Sequence, residues 1–455
     1  MSHHSTNTLR ISEIRNVKST FSKGGLEMSG YIGRSVSIIG VGVTKLGDVR
    51  TTPEIKDFSE KELYALAAIK AMEDAGIHAC DIDAYYVGMS GPGDKSKIKS
   101  GAPHFSEWVG LRGKPTLFYD AGCGTTGVGL QMAVNAIACG SCDVVLSGGV
   151  NINSTAAFPS VPPHIRRVLP NDEFQAYINT GIDSNYEKIG EGGAAPIEAQ
   201  AIDYLRKYGY TYADADEAQA IYAIKSREGA LSNENAANAA MSFEEEAKQF
   251  GFDSAVDYLL SPRYNPVLGS FFRARFIGTA CDGAAAIIVC ATELAEKYTK
   301  KAVEVAGIAT ASQLHKETRT VPDPMIHDMI QKAYDMAGIT DPYNEIQYMG
   351  IHEVPAFYVA MCAENAGYLK PGEGLEAMRQ GRFAYDGDRP VSTHGGVISN
   401  GHPLAPKFNI DVAEAVHQMR GECGARQMKN PPKTALVYGG GSGWNMATAV
   451  LKYKG

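Results

Sequence analysis

The sequence lacks the features of a secreted or membrane-spanning chain. No apolar run among its 455 residues is long enough to span a bilayer. The amino terminus has no apolar signal core, which predicts a cytoplasmic protein. Its eight cysteines are scattered and form no disulfide framework, so we expect reduced thiols. The net charge of −8 argues against a general nucleic-acid or membrane surface.

Two motifs that would indicate a bound cofactor are incomplete. Cys139 and Cys142 form a CxxC pair, but no second pair follows at zinc-finger spacing, so we predict no metal site. The run from Gly40 has Lys45 where a GxGxxG dinucleotide motif needs glycine, so we predict no nicotinamide cofactor. Hydrophobic residues make up 44% of the chain, as in ordinary globular proteins, and its length indicates two or three domains.

Strands and amphipathic helices alternate from Arg34 onward, which predicts an α/β protein with a mostly parallel sheet. Residues 36–43 read as a buried strand, and residues 84–89 as a second one. Between them, residues 60–76 have apolar positions at helical spacing and end at a glycine, a common helix terminator.

The carboxyl-terminal part of the chain repeats this pattern. Residues 70–77 resemble residues 332–339, and the strand at 143–149 resembles the strand at 434–440. The loop holding Gly122 and Cys123 corresponds to a later loop, Gly401-His402, and each precedes a helix. Such repeats predict two similar α/β halves about a pseudo-twofold axis, with both loops close together at the strand ends.

A region rich in proline, alanine, tyrosine and charged residues separates the two repeats and has no counterpart in either. We interpret it as an inserted, mainly helical cap domain. The predicted division is an amino-terminal extension at 1–33, a first half at 34–152 and 278–298, the cap at 153–277, and a second half at 299–455.

Cys123 is the predicted nucleophile. It precedes a helix predicted over 129–138, and unpaired N–H groups at a helix start favour a thiolate. Small neighbours such as Gly122 and Gly124 leave room for a substrate carbonyl, and the Cys123 N–H can donate to an oxyanion. A structural cysteine in a glycine-rich turn is the alternative.

Three further segments contain candidate catalytic groups. His402 lies in a Gly-His-Pro loop, where an imidazole can accept a proton or polarise an oxygen. His352 and Glu353 directly follow a predicted strand and are acid/base candidates. Gly439 begins a glycine-rich strand end, whose N–H groups can line a site. Each segment alone is also compatible with a purely structural role.

These four segments, in this order and on two repeated halves, resemble the thiolase superfamily. The histidine at 352 is most similar to the sterol carrier protein X type, as is the return segment Cys281-Asp-Gly-Ala-Ala-Ala. The resemblance covers about residues 34–455. It implies the thiolase fold, in which two α/β halves form a layered α-β-α-β-α core with an inserted cap.

The resemblance also implies a reaction. Cys123 would attack the 3-oxo carbon of a 3-oxoacyl-CoA, with His402 and His352 holding the departing enolate. Free coenzyme A would then take the acyl group from Cys123. The N–H groups of Cys123 and Gly439 would form the oxyanion hole. The resemblance thus implies that coenzyme A is a substrate and that the chain acts as an acyltransferase.

The sequence departs from the family pattern where a second catalytic cysteine is usual. Val437 stands in one of the two customary places and Val354 in the other. We therefore expect Glu353, or His402 alone, to protonate the leaving enolate. Tyr438 is a poorer candidate because the ordinary pKa of a tyrosine is high.

The helix after the Gly-His-Pro loop is also unusual, with Lys407 and Phe408 where small residues are typical. They are predicted to shape a pocket for an aromatic or carboxylated acyl group. The alternative is a helix start with an exposed lysine. These departures resemble the large subunits of benzoylsuccinyl-CoA thiolases, which implies benzoyl-CoA and succinyl-CoA as products and a small zinc-ribbon/OB-fold partner subunit.

Two other functions are weighed against thiolysis: a Claisen-condensing, ketosynthase-like enzyme and a non-catalytic acyl-CoA-binding scaffold. The family resemblance implies a homodimer or a dimer of dimers. Basic cap residues are predicted to contact the coenzyme A phosphates, the candidates being Arg166, Arg167, Arg206 and Lys207.

Overall fold

The computed structural model describes most of the chain, namely residues 33–90, 101–154, 195–237, 239–268, 270–278, 280–312, 323–441 and 445–455. The predicted extension at 1–33, apart from Gly33, lies outside the described residues. So do Arg166, Arg167 and residues 155–194 of the predicted cap.

The described strands form one nine-stranded sheet in the order β3-β2-β4-β5-β1-β6-β9-β8-β7. Their bounds are β1 Val36–Val43, β2 Ala84–Gly88, β3 Thr116–Tyr119, β4 Val144–Asn151, β5 Gly283–Ala291, β6 Val303–Ser312, β7 Tyr348–Ile351, β8 Thr434–Gly441 and β9 Asn445–Lys452.

The prediction of a mostly parallel sheet is wrong. Among the strands of the described residues, the parallel pairs are β2 with β3, β2 with β4, and β7 with β8. The strands β5 and β9 run antiparallel to their neighbours, as do β1 and β6 to each other. A buried strand is apolar on both faces whichever way its neighbours run, so the apolar pattern does not reveal strand direction.

The helices lie on both faces of the sheet and in the cap. Their bounds are α1 Glu60–Ala75, α2 Pro103–Val109, α3 Thr125–Ala138, α4 Ala195–Tyr208, α5 Tyr212–Leu231, α6 Phe243–Gln249, α7 Ala255–Leu260, α8 Thr292–Tyr298, α9 Pro324–Ala337, α10 Pro342–Glu345, α11 Tyr358–Asn365, α12 Gly374–Arg379 and α13 Lys407–Arg420. In the described part of the chain, none of them combines the length and apolarity that a membrane crossing requires.

Local signals in the sequence define both ends of α1. The Ser59 and Glu62 side chains bond each other's backbone N–H in a capping box, which satisfies donors that a helix start leaves unpaired. Gly76 ends the helix in the left-handed conformation, with φ 67°, which glycine adopts without steric cost. The helix predicted over 60–76 is therefore confirmed, and α9, its counterpart in the repeat, ends the same way at Gly338.

The strand order confirms the predicted repeat. The strands β2, β4, β5 and β1 of the first half mirror β7, β8, β9 and β6 of the second, and the halves meet where β1 pairs with β6. One buried cluster combines α3, α13 and strands of both halves, including Leu130, Val289, Val412 and Ala449. The helices α3 and α13 therefore lie between the strands of the two halves, with α1 and α9 on the outside. The nine strands thus supply both β layers of the predicted α-β-α-β-α core.

The described part of the insert is helical, comprising α4 to α7, and packs against the second half. Tyr204 of α4 donates a hydrogen bond to Glu364 of α11. Its ring lies edge-on to Phe357, with 5.6 Å between the ring centroids. The cap therefore shares its core with the half that contains the candidate histidines. The exact domain boundaries stay a prediction.

Candidate active site

Cys123 lies in a tight turn between β3 and α3. Thr125 Oγ1 donates to the Gly122 carbonyl at 2.6 Å and accepts from the Ala121 N–H at 2.8 Å. Gly122 has φ 62°, a conformation that most other residues avoid. The helix begins at Thr125, earlier than predicted, so Cys123 directly precedes its first turn. These bonds fix the backbone around the sulfur.

The start of α3 lies unusually close to the second half of the molecule. A Cβ atom on Gly127 would lie 2.3 Å from the Cβ of Ala447 and 3.1 Å from the ring of Phe408. A glycine is therefore required for the helix to reach β9 and α13. This close approach brings the Cys123 loop to the loops of the second repeat, as predicted.

Three side chains from the two halves meet at one point. The Cys123 Sγ lies 3.3 Å from His402 Nε2, and that nitrogen lies 3.2 Å from His352 Nε2. Both histidines are 7% exposed, and the cysteine is half-buried. His402 Nε2 therefore contacts both the sulfur and the second imidazole.

The hydrogen bond behind His352 assigns its tautomer. Its Nδ1 lies 2.6 Å from the Gly440 carbonyl oxygen, which can only accept, so the proton is on Nδ1. In the neutral ring, Nε2 then presents a lone pair to His402. His402 Nδ1 is buried and has no hydrogen-bond partner among the described residues. A proton on His402 Nε2 therefore has an acceptor, whereas one on Nδ1 has none there.

The surroundings of Cys123 oppose the thiolate that its position before α3 favours. Burial raises the pKa of the Cys123 thiol to about 12, and the negative charge of Asp120 acts in the same direction. Burial lowers the pKa of His352 to about 3 and that of His402 well below its ordinary value. The three groups therefore rest as a neutral thiol and two neutral imidazoles, because charge is costly in this environment.

Glu353 is fully buried and points away from these three groups. Its Oε1 accepts from the Val397 N–H at 2.7 Å and from the Tyr222 hydroxyl at 3.3 Å. Burial raises the pKa of this carboxyl. This geometry does not agree with Glu353 as the proton donor to the enolate. It ties cap helix α5 to the segment before His402.

That segment is a buried π-helical turn, Gly396–Asn400, which leads directly into Gly401 and His402. Asn233, just after α5, donates to the His394 carbonyl and to the Asn400 side chain, which holds the turn at both ends. The His402 carbonyl accepts from the Cys281 N–H at 3.1 Å. The histidine is thus held through its backbone on both sides.

The predictions for Lys407 need correction. Lys407 is fully buried, and its Nζ donates to both carboxylate oxygens of Asp411 and to the Ile351 carbonyl. It therefore neither projects into an acyl pocket nor lies exposed at a helix start. An internal ion pair accounts for it, because a buried lysine needs a partner. The pair contacts the end of β7, and the last residue of that strand, Ile351, directly precedes His352.

Phe408 and the glycine-rich strand end pack around the histidines. Phe408 is 1% exposed and lies in the central core, facing Gly127 and Gly439, so it is not an open pocket wall. A Cβ on Gly439 would lie 3.2 Å from that of His352. The Tyr438 hydroxyl forms a hydrogen bond with the Tyr358 hydroxyl. The Tyr438 side chain belongs to the core that the cap shares with the second half. The rest of the glycine-rich segment, at 442–444, lies outside the described residues.

The two described basic residues of the cap have local partners. Arg206 lies 3.7 Å from Asp203, one turn earlier in α4, and Lys207 lies over the ring of Tyr208. Their role toward phosphate groups stays a prediction, as does that of the two arginines outside the described residues.

The residues that support this site from behind were not predicted from the sequence. Tyr222 and Asn233 come from the cap, far along the chain from the histidines, and their pattern carries no signal of this contact. The Lys407–Asp411 pair did carry a signal, because opposite charges four residues apart on a helix lie side by side.

Comparison with known families and relatives agrees with this geometry. Residues 36–293 match the family model described as "Thiolase, N-terminal domain", and residues 295–453 match "Thiolase C-terminal domain-like". An acetyl-CoA acetyltransferase of Methanothermobacter thermautotrophicus is 27% identical over 421 residues, covering 92% of this chain and 99% of the relative. Benzoylsuccinyl-CoA thiolase subunit BbsB of Thauera aromatica is 24% identical over 415 residues, covering 90% and 95%.

Human sterol carrier protein 2 is 26% identical over 436 residues, which is 92% of this chain and 72% of that protein. Among solved structures, the Ltp2-ChsH2(DUF35) aldolase aligns with a TM-score of 0.70 at 19% identity, covering 93% of this chain and 98% of that one. Human mitochondrial 3-ketoacyl-CoA thiolase in complex with CoA aligns with a TM-score of 0.64 at 17% identity, covering 94% of this chain and 100% of that one. At these identities the structures establish the fold alone.

Proposed function

The chain belongs to the thiolase family of acyltransferases, which use coenzyme A as a substrate, and we propose that it cleaves 3-oxoacyl-CoA through an acyl-enzyme on Cys123. The observation that carries this proposal is the contact of His402 Nε2 with both the Cys123 sulfur and His352. A nucleophile beside a base, with a third group orienting the base, is the arrangement that covalent catalysis requires.

The first half-reaction begins with a proton transfer. In the tautomer of His402 that carries its proton on Nδ1, Nε2 has a free lone pair, and the Cys123 proton moves to it as the sulfur attacks the 3-oxo carbon. The lone pair on His352 Nε2 faces the new N–H and stabilises it. Because the free thiol has a raised pKa, we propose that this transfer accompanies the attack rather than precedes it. Oxyanion stabilisation is assigned to the N–H groups of Cys123 and Gly439.

The second step breaks the bond between carbons 2 and 3. The electron pair leaves as the enolate of the departing acyl-CoA. The proton on His402 Nε2 then moves to carbon 2 of that enolate. His402 thereby does the work of the second cysteine that is absent from both customary places, and Glu353 positions the loop. Coenzyme A then attacks the Cys123 thioester, releasing a new acyl-CoA and the thiol.

The acyl group is the least constrained part of the proposal. Benzoylsuccinyl-CoA is one candidate substrate, supported by the likeness to BbsB over most of both chains. Lys407 gives no support for a carboxylated substrate, because that lysine is paired internally with Asp411. Acetoacetyl-CoA is the other candidate, supported by the likeness to the archaeal acetyltransferase. Run in reverse, the same steps are a Claisen condensation.

We further propose a homodimer that works with a small partner subunit of the zinc-ribbon/OB-fold type. One supporting observation is the DUF35 component named in the aldolase structure with the same fold. Phosphate contacts of coenzyme A remain assigned to the cap, with Arg166, Arg167, Arg206 and Lys207 as the candidates.

The decisive test is the intact mass of the purified chain after mixing with acetyl-CoA, benzoyl-CoA or a 3-oxoacyl-CoA. We expect an acyl adduct that maps to Cys123, is absent in Cys123→Ser, and disappears when free coenzyme A is added. Its mass identifies the acyl group. If no adduct forms with any donor, even with a co-purified partner subunit, the scaffold alternative is favoured.

Cysteine alkylation rates would be a weaker test. Hydrogen bonding by Ser141 lowers the pKa of the exposed Cys139, whereas burial raises that of Cys123. Because the thiolate is the reactive form, Cys139 should be alkylated faster in the free enzyme even if Cys123 is the nucleophile.

A further inference from the structure

We infer that Cys123, His352 and His402 also form a binding site for a single Zn²⁺ ion, and that zinc there reversibly blocks acyl-enzyme formation. The inhibitory consequence rests on the proposed function, whereas the binding site rests on the geometry alone. The ion would be an inhibitor and not a resident cofactor.

Two of the three distances between the ligand atoms are close to what zinc requires. Zinc bonds are about 2.0 Å to histidine nitrogen and about 2.3 Å to cysteine sulfur. At tetrahedral angles this places two nitrogens about 3.3 Å apart, and a nitrogen and a sulfur about 3.5 Å apart. The two contacts of His402 Nε2 measure 3.2 Å to His352 Nε2 and 3.3 Å to Cys123 Sγ. All three ligand atoms lie within 4.8 Å of one another.

The surroundings orient these atoms as metal ligands. The Gly440 carbonyl binds the Nδ1 proton of His352, which leaves the Nε2 lone pair directed at the site. This second bond fixes the tautomer, as it does for metal-bound histidines in general. Backbone bonds hold His402, whose Nε2 binds the ion in the tautomer that carries its proton on Nδ1. The half-buried Cys123 leaves access for a fourth, water ligand.

Two imidazoles and one thiolate select zinc over harder cations. Carboxylate and carbonyl oxygens, which magnesium and calcium prefer, do not complete this three-residue group among the described residues. Binding replaces the thiol proton by the metal, so one proton is released per ion bound. The sulfur–zinc bond then occupies the electron pair that would attack the substrate.

The surface CxxC pair is the competing zinc site. Cys139 is exposed and Cys142 is half-buried, and both are free thiols at the far end of α3. Cysteines with this spacing bind zinc in many proteins. The double variant Cys139→Ser/Cys142→Ser is therefore the matched control, because it removes two thiols and leaves the candidate active site unaltered.

The test is titration of the full-length chain with Co²⁺, whose bond to a thiolate gives a near-ultraviolet charge-transfer band, followed by displacement with Zn²⁺. We expect one equivalent to bind with the band present in the wild type and in the CxxC double variant. The band should be lost in Cys123→Ser and in the CxxC double variant whose Cys123 carries a stable alkyl group. The alkylated protein guards against a variant that merely fails to fold.

A band that survives the loss of Cys123, or that disappears in the CxxC double variant, would overturn the inference. Activity is measured separately. Zinc should lower the turnover of the CxxC double variant at least about tenfold, with recovery on adding a chelator. If the band behaves as expected but no acyl adduct ever forms, the proposed function fails while the metal site stands.

Discussion

Burial has a larger influence than helix geometry on the protonation of the candidate catalytic residues. A helix amino terminus stabilises an anion by about 0.3–1 kcal/mol, which is less than one pKa unit. The environment of Cys123 raises the pKa of its thiol from 9.0 to about 12. The position before α3 therefore reduces the cost of a thiolate without making it the resting form. A base in direct contact, His402, is needed to form the nucleophile.

Glu353→Gln should leave thiolysis within about twofold of the wild type. The carboxyl accepts from Val397 and Tyr222 and makes no hydrogen bond to Cys123 or His402 among the described contacts, and glutamine keeps the accepting oxygen. Steady-state kinetics with acetoacetyl-CoA and coenzyme A provide the measurement.

Glu353→Ala is the companion variant. It should lower the free energy of unfolding by about 1–3 kcal/mol, because both donors lose their acceptor. A tenfold loss of turnover in Glu353→Gln with unchanged stability would instead identify Glu353 as a proton donor.

Lys407→Met should lower the free energy of unfolding by about 3–5 kcal/mol at pH 8, because Asp411 loses the ammonium group that stabilises its charge in the core. Burial already raises the pKa of Asp411 to about 7. Below that pH the carboxyl takes up a proton in the wild type as well, which removes the ion pair there, so the difference between wild type and variant should shrink at pH 5.5. Denaturant unfolding at both pH values measures this.

The double variant Lys407→Met/Asp411→Asn is the control for the ion pair. It should regain much of the stability at pH 8, because neither charge remains. An equal loss in the single and double variants at both pH values would mean that packing of the lysine stem, and not charge, determines its contribution.

At the scale of elements, two loops and a π-helical turn position the reactive atoms. The turn at Gly396–Asn400 is held by Glu353 on one side and by Asn233 from the cap on the other. A π-helical segment is uncommon and is often found at functional sites. Here the turn determines the position of Gly401 and His402, which follow it directly. The cap therefore contributes to the geometry of the site.

Gly396→Ala should disturb this turn and lower turnover at least about tenfold. Its φ is 54°, and an added Cβ would lie 1.4 Å from the Glu353 Oε1 atom, so the carboxylate or the turn must move. A displacement of about 1 Å at a reacting group can cost a factor of about one hundred in rate. Measurements of kcat and KM, together with thermal unfolding, test this.

Gly113→Ala is the matched control, because Gly113 also has a positive φ, 80°, but an added Cβ meets nothing within 4 Å. It should cost only the left-handed backbone penalty of about 1–2 kcal/mol and leave turnover unchanged. Equal effects of the two substitutions on turnover would show that the turn does not position His402.

At the scale of the whole molecule, the two edges of the sheet differ. The outer edge of β7 is covered, because Met349 exchanges backbone hydrogen bonds with Pro390 and Ser392. β3 ends the sheet on the other side, with β2 as its one strand neighbour among the described residues. An uncovered edge strand is a template for pairing with another chain. We therefore expect the homodimer to form through β3.

Phe118→Lys should convert the proposed dimer into a monomer. Phe118 lies in β3 and is 36% exposed, and a lysine on an edge strand opposes strand pairing across chains. Ile69→Lys is the control, because Ile69 is similarly exposed, at 41%, but lies on the outer helix α1. Size-exclusion chromatography with light scattering measures the mass. A dimer that persists in Phe118→Lys would place the interface elsewhere.

Features that depend on local pattern could be read from the sequence alone. The repeat, the bounds of β1 and α1, and the order of the four motif segments follow from apolar spacing, capping residues and glycines. The juxtaposition of Cys123 with His402 also followed, because equivalent loops of two repeated units must meet near the axis that relates them.

Tertiary structure alone decided the features that depend on residues distant in the chain. The antiparallel course of β5 and β9 was one, because a buried strand is apolar whichever way it runs. The direction of the Glu353 side chain and the neutral state of Cys123 and His352 were others. Each is determined by what surrounds the group and by how much water is excluded, and a sequence pattern specifies neither the neighbours nor the local dielectric.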